Sequence, residues 1–126
     1  MKDEGMKLKP YKDTRGFITI GIGRCLDTKG ITIEEAYYLL DNDIAAGQHD
    51  LEGFQWYLMQ PPGVQHALIN MTFNLGINRM LGFKKMIVAL RNKDYTLAAL
   101  EALDSRWANQ VHKRANDIAV MIRVGK

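Results

Sequence analysis

Between Phe17 and Ile22 large apolar side chains alternate with smaller or polar ones. Ile18, Ile20 and Ile22 share one face of a strand, and Phe17, Thr19 and Gly21 share the other. The isoleucines read as the core-facing side, which turns Thr19 away, towards a cleft or solvent. The stretch near Leu8 to Tyr11 pairs with this strand as a hairpin through Lys12 to Gly16, where Asp13 and Gly16 are favoured turn residues. Asp13 is therefore expected to be exposed at a turn.

After Gly30 the period lengthens. Thr32-Ile33-Glu34-Glu35 has capping-box spacing, and Ile33, Ala36, Tyr37, Leu40 and Ile44 follow at helical intervals. That stripe reads as core-facing, on a helix running to His49 or beyond. Pro61-Pro62-Gly63 breaks the chain before a second helical pattern of Val64, Ala67, Leu68, Met71 and Leu75. Ile69, Thr72 and Phe73 widen its apolar arc, so this helix is expected to be buried on most sides and to stop at Gly76. Shorter helices are predicted near Phe83 to Arg91 and Tyr95 to Asp104. A last one near Lys113 to Val124 places Ala115, Ile118, Ala119 and Ile122 on one face. The pattern describes an α+β chain of one domain, 1–126. Residues 1–31 form a small β-containing lobe, 32–52 a linking helix and 53–126 a helical lobe.

Composition narrows the setting. Cys25 is the lone cysteine, so neither an internal disulfide nor a zinc cluster is available, which fits a reducing cytoplasm. No apolar run approaches the roughly 20 residues of a membrane span, and the N-terminus lacks a signal-peptide pattern. The net charge of +3 is uneven: residues 1–78 carry an acidic excess and residues 79–126 a basic one. A basic half suits an anionic polymer such as nucleic acid, an acidic membrane surface or the bacterial wall, or is simply a solvated helical face.

The chemistry-bearing candidates are Glu4, Asp13 and Thr19, set along the first turn and strand signals. Acid/base cleavage of a glycosidic bond needs one carboxyl that holds a proton for the leaving oxygen. It needs a second, ionised, to steer water or stabilise positive charge on the sugar. Taken singly, each is more often a surface charge or a strand hydroxyl. Gly21-Ile22-Gly23 is no phosphate loop, since Leu26 stands at the sixth position and no lysine follows at the required spacing. His49, His66 and His112 show no metal-ligand spacing. Trp107 and Tyr95 read as core, whereas Trp56 and Tyr57 lie in a loop-like stretch that suits either core or the wall of a groove. Arg106, Lys113 and Arg114 read as solvent-exposed, or as a source of one arginine that orients Glu4.

Glu4-Gly5-Met6-Lys7-Leu8-Lys9-Pro10-Tyr11-Lys12-Asp13-Thr14, followed by Thr19-Ile20-Gly21-Ile22-Gly23, resembles the active-site signature of phage-type lysozymes, the endolysins of glycoside hydrolase family 24. The similarity continues through Ala67 to Gly76, Gly82-Phe83, Ser105 to Gln110 and Arg114-Ala115, in the family's order. The resemblance implies a two-lobed lysozyme-like fold. It also implies hydrolysis, with inversion, of the β-1,4 bond between N-acetylmuramic acid and N-acetylglucosamine in peptidoglycan. Glu4 matches the general acid, Asp13 the carboxylate that aids the attacking water or stabilises the oxocarbenium-like state, and Thr19 the residue that places that water. Arg114 matches the arginine pairing with the acid, and Gly23, Phe73 and Asn74 are expected to bind substrate. An arginine beside Glu4 opposes the raised pKa of a general acid, so Arg114 is read as a positioner.

Arg24 stands where many members carry histidine, and an Arg24–Asp43 ion pair is expected in its place. Neither cofactor nor metal is implied. Peptidoglycan glycan strands are the expected partner of a monomer with no nucleic acid and no stable membrane insertion. The setting is the host bacterial cytoplasm, then the periplasmic wall once the membrane is permeabilised for phage-induced lysis. Only Met1, Lys2 and Asp3 precede Glu4, where relatives have a helix. That motivates two alternatives beside hydrolysis: a lytic transglycosylase, or a wall-binding module with impaired catalysis.

Overall fold

A computed structural model describes residues 5–125 of the chain. Glu4, the expected acid, lies outside the described residues. Strands β1 (Lys7–Lys12), β2 (Ile18–Gly21) and β3 (Arg24–Cys25) precede seven helices. These are α1 (Ile33–Glu52), α2 (Gln55–Leu58), α3 (Pro62–Leu75), α4 (Ile77–Leu81), α5 (Lys84–Arg91), α6 (Tyr95–Leu103) and α7 (Arg106–Val124). The fold is α+β and lysozyme-like, as the pattern and the resemblance implied. The chain divides into two units, Met1–Leu40 and Asp41–Lys126, with the division inside α1.

In the first unit the sheet order is β1-β2-β3 with both pairings antiparallel. Tyr11 pairs with Thr19 and Lys12 with Ile18, and the register shifts between Lys7 and Tyr11. β2 and β3 join through a tight turn at Ile22-Gly23, where Gly23 has φ +78°, a conformation that a β-carbon penalises. The capping box forms as predicted: the Glu35 N–H donates to Thr32 Oγ1 at 3.1 Å, and the Thr32 N–H to Glu35 Oε1 at 2.9 Å.

Two expectations about faces are reversed here. Thr19 is 3% exposed, whereas Ile18 and Ile22 are 40% and 56% exposed. On α1, Ile33 and Tyr37 are 77% and 64% exposed, and the buried residues of that helix are Gly47 and Leu51. Periodicity tells which side chains share a face. It does not tell which face another element covers.

The core belongs to the second unit. α3 is its centre, with Val64, Ala67, Leu68 and Met71 fully buried, each large side chain contributing about 1.5–3 kcal/mol by its removal from water. α3 packs against α7, α7 against α6, and α6 against α5. Gly76 ends α3 with φ +85°, as its place after the apolar run predicted. Ala115, Ile118, Ala119 and Ile122 of α7 are all buried, as read from their spacing. α7 begins earlier than expected, at Arg106, with Ser105 Oγ capping the Ala108 N–H. Val111 interrupts it with φ −122°, so the helical period is legible only beyond the kink. Trp56 and Tyr57 are buried on the short α2, not placed along a groove.

Candidate active site

The first unit supplies Asp13 and Thr19 from one hairpin. Asp13 follows β1 and closes the turn on itself: its N–H donates to the Phe17 carbonyl at 2.9 Å, and its own carbonyl accepts from Gly16 N at 3.0 Å. Its Oδ1 accepts from the N–H of Arg15 at 2.8 Å and of Phe17 at 2.9 Å. An aspartate at a turn commonly binds its own backbone two residues on, which explains the local geometry from sequence alone. Among the described residues these are the donors to Asp13, and both meet the same oxygen.

Thr19 sits at the centre of β2 on the face it shares with Tyr11 and Cys25. Its hydroxyl donates to the Phe17 carbonyl at 3.1 Å. One residue therefore binds both candidates: the Phe17 N–H donates to Asp13, and the Phe17 carbonyl accepts from Thr19. A hydroxyl that has spent its hydrogen on a carbonyl presents only lone pairs elsewhere, so Thr19 is held as an acceptor. The half-buried Phe17 is covered by the Arg15 guanidinium, 5.1 Å from the ring centroid.

Arg24 stands on the opposite face, and its partner is not the expected Asp43. Nη1 and Nη2 bind Glu35 Oε1 and Oε2, both at 2.8 Å, and Nη1 also reaches the Gly30 carbonyl at 3.0 Å. The residue that caps α1 is near in sequence and already oriented by Thr32, whereas Asp43 lies two turns further along an exposed helix surface. The bidentate Arg24 holds the Glu35 carboxyl at about 2, below its usual value, with the Thr32 N–H adding to the effect. Arg24 thus ties β3 to the start of α1.

Phe73, Asn74 and Arg114, the other expected site residues, lie in the second unit. Phe73 and Asn74 fall in the last turn of α3, and Phe73 is 40% exposed, outside the buried arc predicted for it. Asn74 Oδ1 accepts a short hydrogen bond from Trp107 Nε1 of α7. Trp107 is buried, as expected of a core residue, and packs edge-on against Phe83 at 6.1 Å between centroids. Its role as the anchor of Asn74 was not read from sequence, since 33 residues separate the pair. Arg114 is exposed on α7 beyond the kink. It lines an open groove of about 680 Å³ between α3 and α7, with Asn70, Asn74, Lys113 and Asp117 as its other polar walls.

Among the described residues no cluster of histidine, cysteine or acidic side chains is arranged to hold a metal. No described helix is long and apolar enough to cross a membrane.

The phage lysozyme family model matches residues 1–120, a span that takes in every strand and most of α7. Probable T4-type lysozyme 1 of Dictyostelium discoideum is 29% identical over 153 residues, spanning 98% of this chain and 90% of that protein. The pre-baseplate central spike protein Gp5 of Enterobacteria phage T4 is 30% identical over 154 residues, spanning 98% of this chain and 27% of its own length. Both aligned spans are longer than the 126-residue chain, so each relative carries internal residues without counterpart here. With the helical core, the three-stranded sheet and the Asp13–Thr19 hairpin, this match has one meaning: the chain belongs to the phage lysozyme family, glycoside hydrolases that act on peptidoglycan.

Proposed function

We propose that the chain is a muramidase that hydrolyses the β-1,4 bond between N-acetylmuramic acid and N-acetylglucosamine with inversion at the anomeric carbon. The observation that carries this reading is that Phe17 binds both side chains, the Asp13 carboxylate through its N–H and the Thr19 hydroxyl through its carbonyl. Thr19, held as an acceptor, takes one hydrogen of a water. Asp13 takes the other through Oδ2, the oxygen not engaged by the turn. That leaves the water's lone pair for the anomeric carbon.

As the new C–O bond forms, Asp13 accepts the water proton. The glycosidic C–O bond breaks, and Glu4, assigned from its place in the sequence motif, gives its proton to the leaving oxygen. The resemblance assigns glycan binding to Gly23, Phe73 and Asn74, and the positioning of Glu4 to Arg114. In the phage setting that this reading implies, the enzyme accumulates in the host cytoplasm and reaches the periplasmic wall after the membrane is permeabilised.

Proton NMR of glycan fragments in the first minutes of digestion tests the stereochemistry. Newly formed reducing ends in the α configuration are expected, and β ends would assign a retaining route. Glu4→Gln is expected to lose most activity while staying folded. A fully active, folded Glu4→Gln protein sinks the assignment of the acid. A lytic transglycosylase makes a 1,6-anhydro sugar without water and has no use for a paired carboxylate and hydroxyl. Anhydro products in the mass spectrum of released muropeptides would overturn hydrolysis.

A further inference from the structure

The amide that joins Phe17 to Ile18 is held on both sides. Its carbonyl, that of Phe17, accepts from the Asp13 N–H at 2.9 Å and from the Thr19 hydroxyl at 3.1 Å. Its N–H, that of Ile18, donates to Asp27 Oδ2 at 2.6 Å. Asp27 lies just beyond β3, and no motif read from the sequence includes it.

An antiparallel ladder would send the Ile18 N–H elsewhere. Ile18 stands opposite Leu26, one step beyond the Thr19–Cys25 pair, and half of that ladder pair is present: the Leu26 N–H donates to the Ile18 carbonyl at 2.7 Å. The Leu26 carbonyl does not return the bond. It accepts instead from the Gly30 N–H at 3.1 Å, because the chain turns away after β3. The Asp27 carboxylate takes its place on Ile18. An ionised acceptor thus stands where the ladder would put a neutral carbonyl, and such bonds are shorter and stronger. Bonds at the two ends of one amide polarise each other, so a carboxylate on the N–H makes the carbonyl oxygen a better acceptor. Because the amide is planar, holding its N–H also fixes where its oxygen points.

We propose that Asp27 is a positioning residue, which fixes the Thr19 hydroxyl as an acceptor by holding the Phe17–Ile18 amide from its far side. The inference rests on the role proposed above for Thr19 at the attacking water. Asp27 acts through the amide and has no contact with water or glycan in that scheme. Without it, solvent takes the Ile18 N–H, and the Thr19 hydroxyl loses its fixed orientation. The Asp13 N–H still binds the Phe17 carbonyl, so the hairpin is expected to persist.

Two measurements on the intact chain test this. Three-bond couplings to the Thr19 methyl carbon, in isotopically labelled protein, report its χ1 rotamer. One rotamer is expected in the wild type and averaging in Asp27→Ala. One rotamer is expected again in Asp27→Asn, whose amide oxygen accepts from the Ile18 N–H. Initial rates on soluble glycan fragments give the second readout. Asp27→Ala is expected to lower kcat about threefold to tenfold with little change in KM, and Asp27→Asn to recover most of the loss. In a Thr19→Val background Asp27→Ala is expected to change kcat by less than about twofold. A Thr19 rotamer unmoved in a folded Asp27→Ala chain overturns the proposal. So does an equal loss of kcat in both backgrounds, which would make Asp27 a general support of the hairpin. A fully active Thr19→Val chain removes Thr19 from the chemistry, and the couplings then still decide whether Asp27 fixes its hydroxyl.

Discussion

Asp13 and Thr19 share one acceptor: the Phe17 carbonyl takes the Asp13 N–H at 2.9 Å and the Thr19 hydroxyl at 3.1 Å. The Asp13 carboxylate in turn accepts from the Phe17 N–H, so both side chains that the proposed mechanism uses are tied to Phe17. A turn that fixes its own aspartate needs no distant support, and the water-binding half of the proposed site lies within residues 13–19.

Asp13→Asn keeps an acceptor oxygen for the Arg15 and Phe17 N–H groups and removes the charge. The hairpin is expected to persist while the rate of reducing-end release falls about 10²–10⁴-fold, the usual worth of a positioned acid or base. Near-wild-type release by a folded Asp13→Asn chain would remove Asp13 from the chemistry.

Thr19→Val preserves shape and deletes the hydroxyl. The Phe17 carbonyl keeps its bond from the Asp13 N–H, so the stability loss is expected to be about 0.5–1.5 kcal/mol by thermal unfolding. Activity is expected to fall about tenfold to a hundredfold, and Thr19→Ser to retain most of it. A Thr19→Val chain as active as wild type would remove the hydroxyl from the chemistry.

The Arg24–Glu35 pair confers an acid dependence whose sign follows from its cause. Arg24 holds the folded-state carboxyl at about 2, below its ordinary 4.5. The contribution is therefore complete above about 4.5 and is lost as pH falls from there towards 2. Both side chains are partly exposed, so the effect is modest. Melting temperatures of wild type and Glu35→Gln are expected to converge as pH drops through this window. Parallel curves would show that the pair does not couple to folding.

Asn74→Leu leaves the buried Trp107 Nε1 without its acceptor. A loss of about 1–3 kcal/mol is expected by denaturant unfolding, the cost of an unpaired buried donor. Trp107→Phe in the Asn74→Leu background is expected to cost less than it does in the wild type, because the donor is already orphaned. An additive double-mutant cycle would argue that the hydrogen bond carries no coupling.

Local order was readable from the chain itself. The Asp13 turn, the Thr32–Glu35 capping box, the Gly76 stop and the buried face of α7 beyond Val111 all depend on residues within a few positions of one another. Backbone sterics, capping chemistry and helical period act at that range. The lysozyme motif was legible for the same reason, being one run of turn and strand.

Only the tertiary structure decided which faces are covered. Thr19 is buried where the isoleucines were expected, and α1 exposes the stripe that period alone would hide. It also decided partners distant in sequence: Glu35 for Arg24, and Trp107 for Asn74. Alternation and period arise within a single element, whereas burial depends on what another element brings against it. A sequence read one element at a time carries the first and not the second.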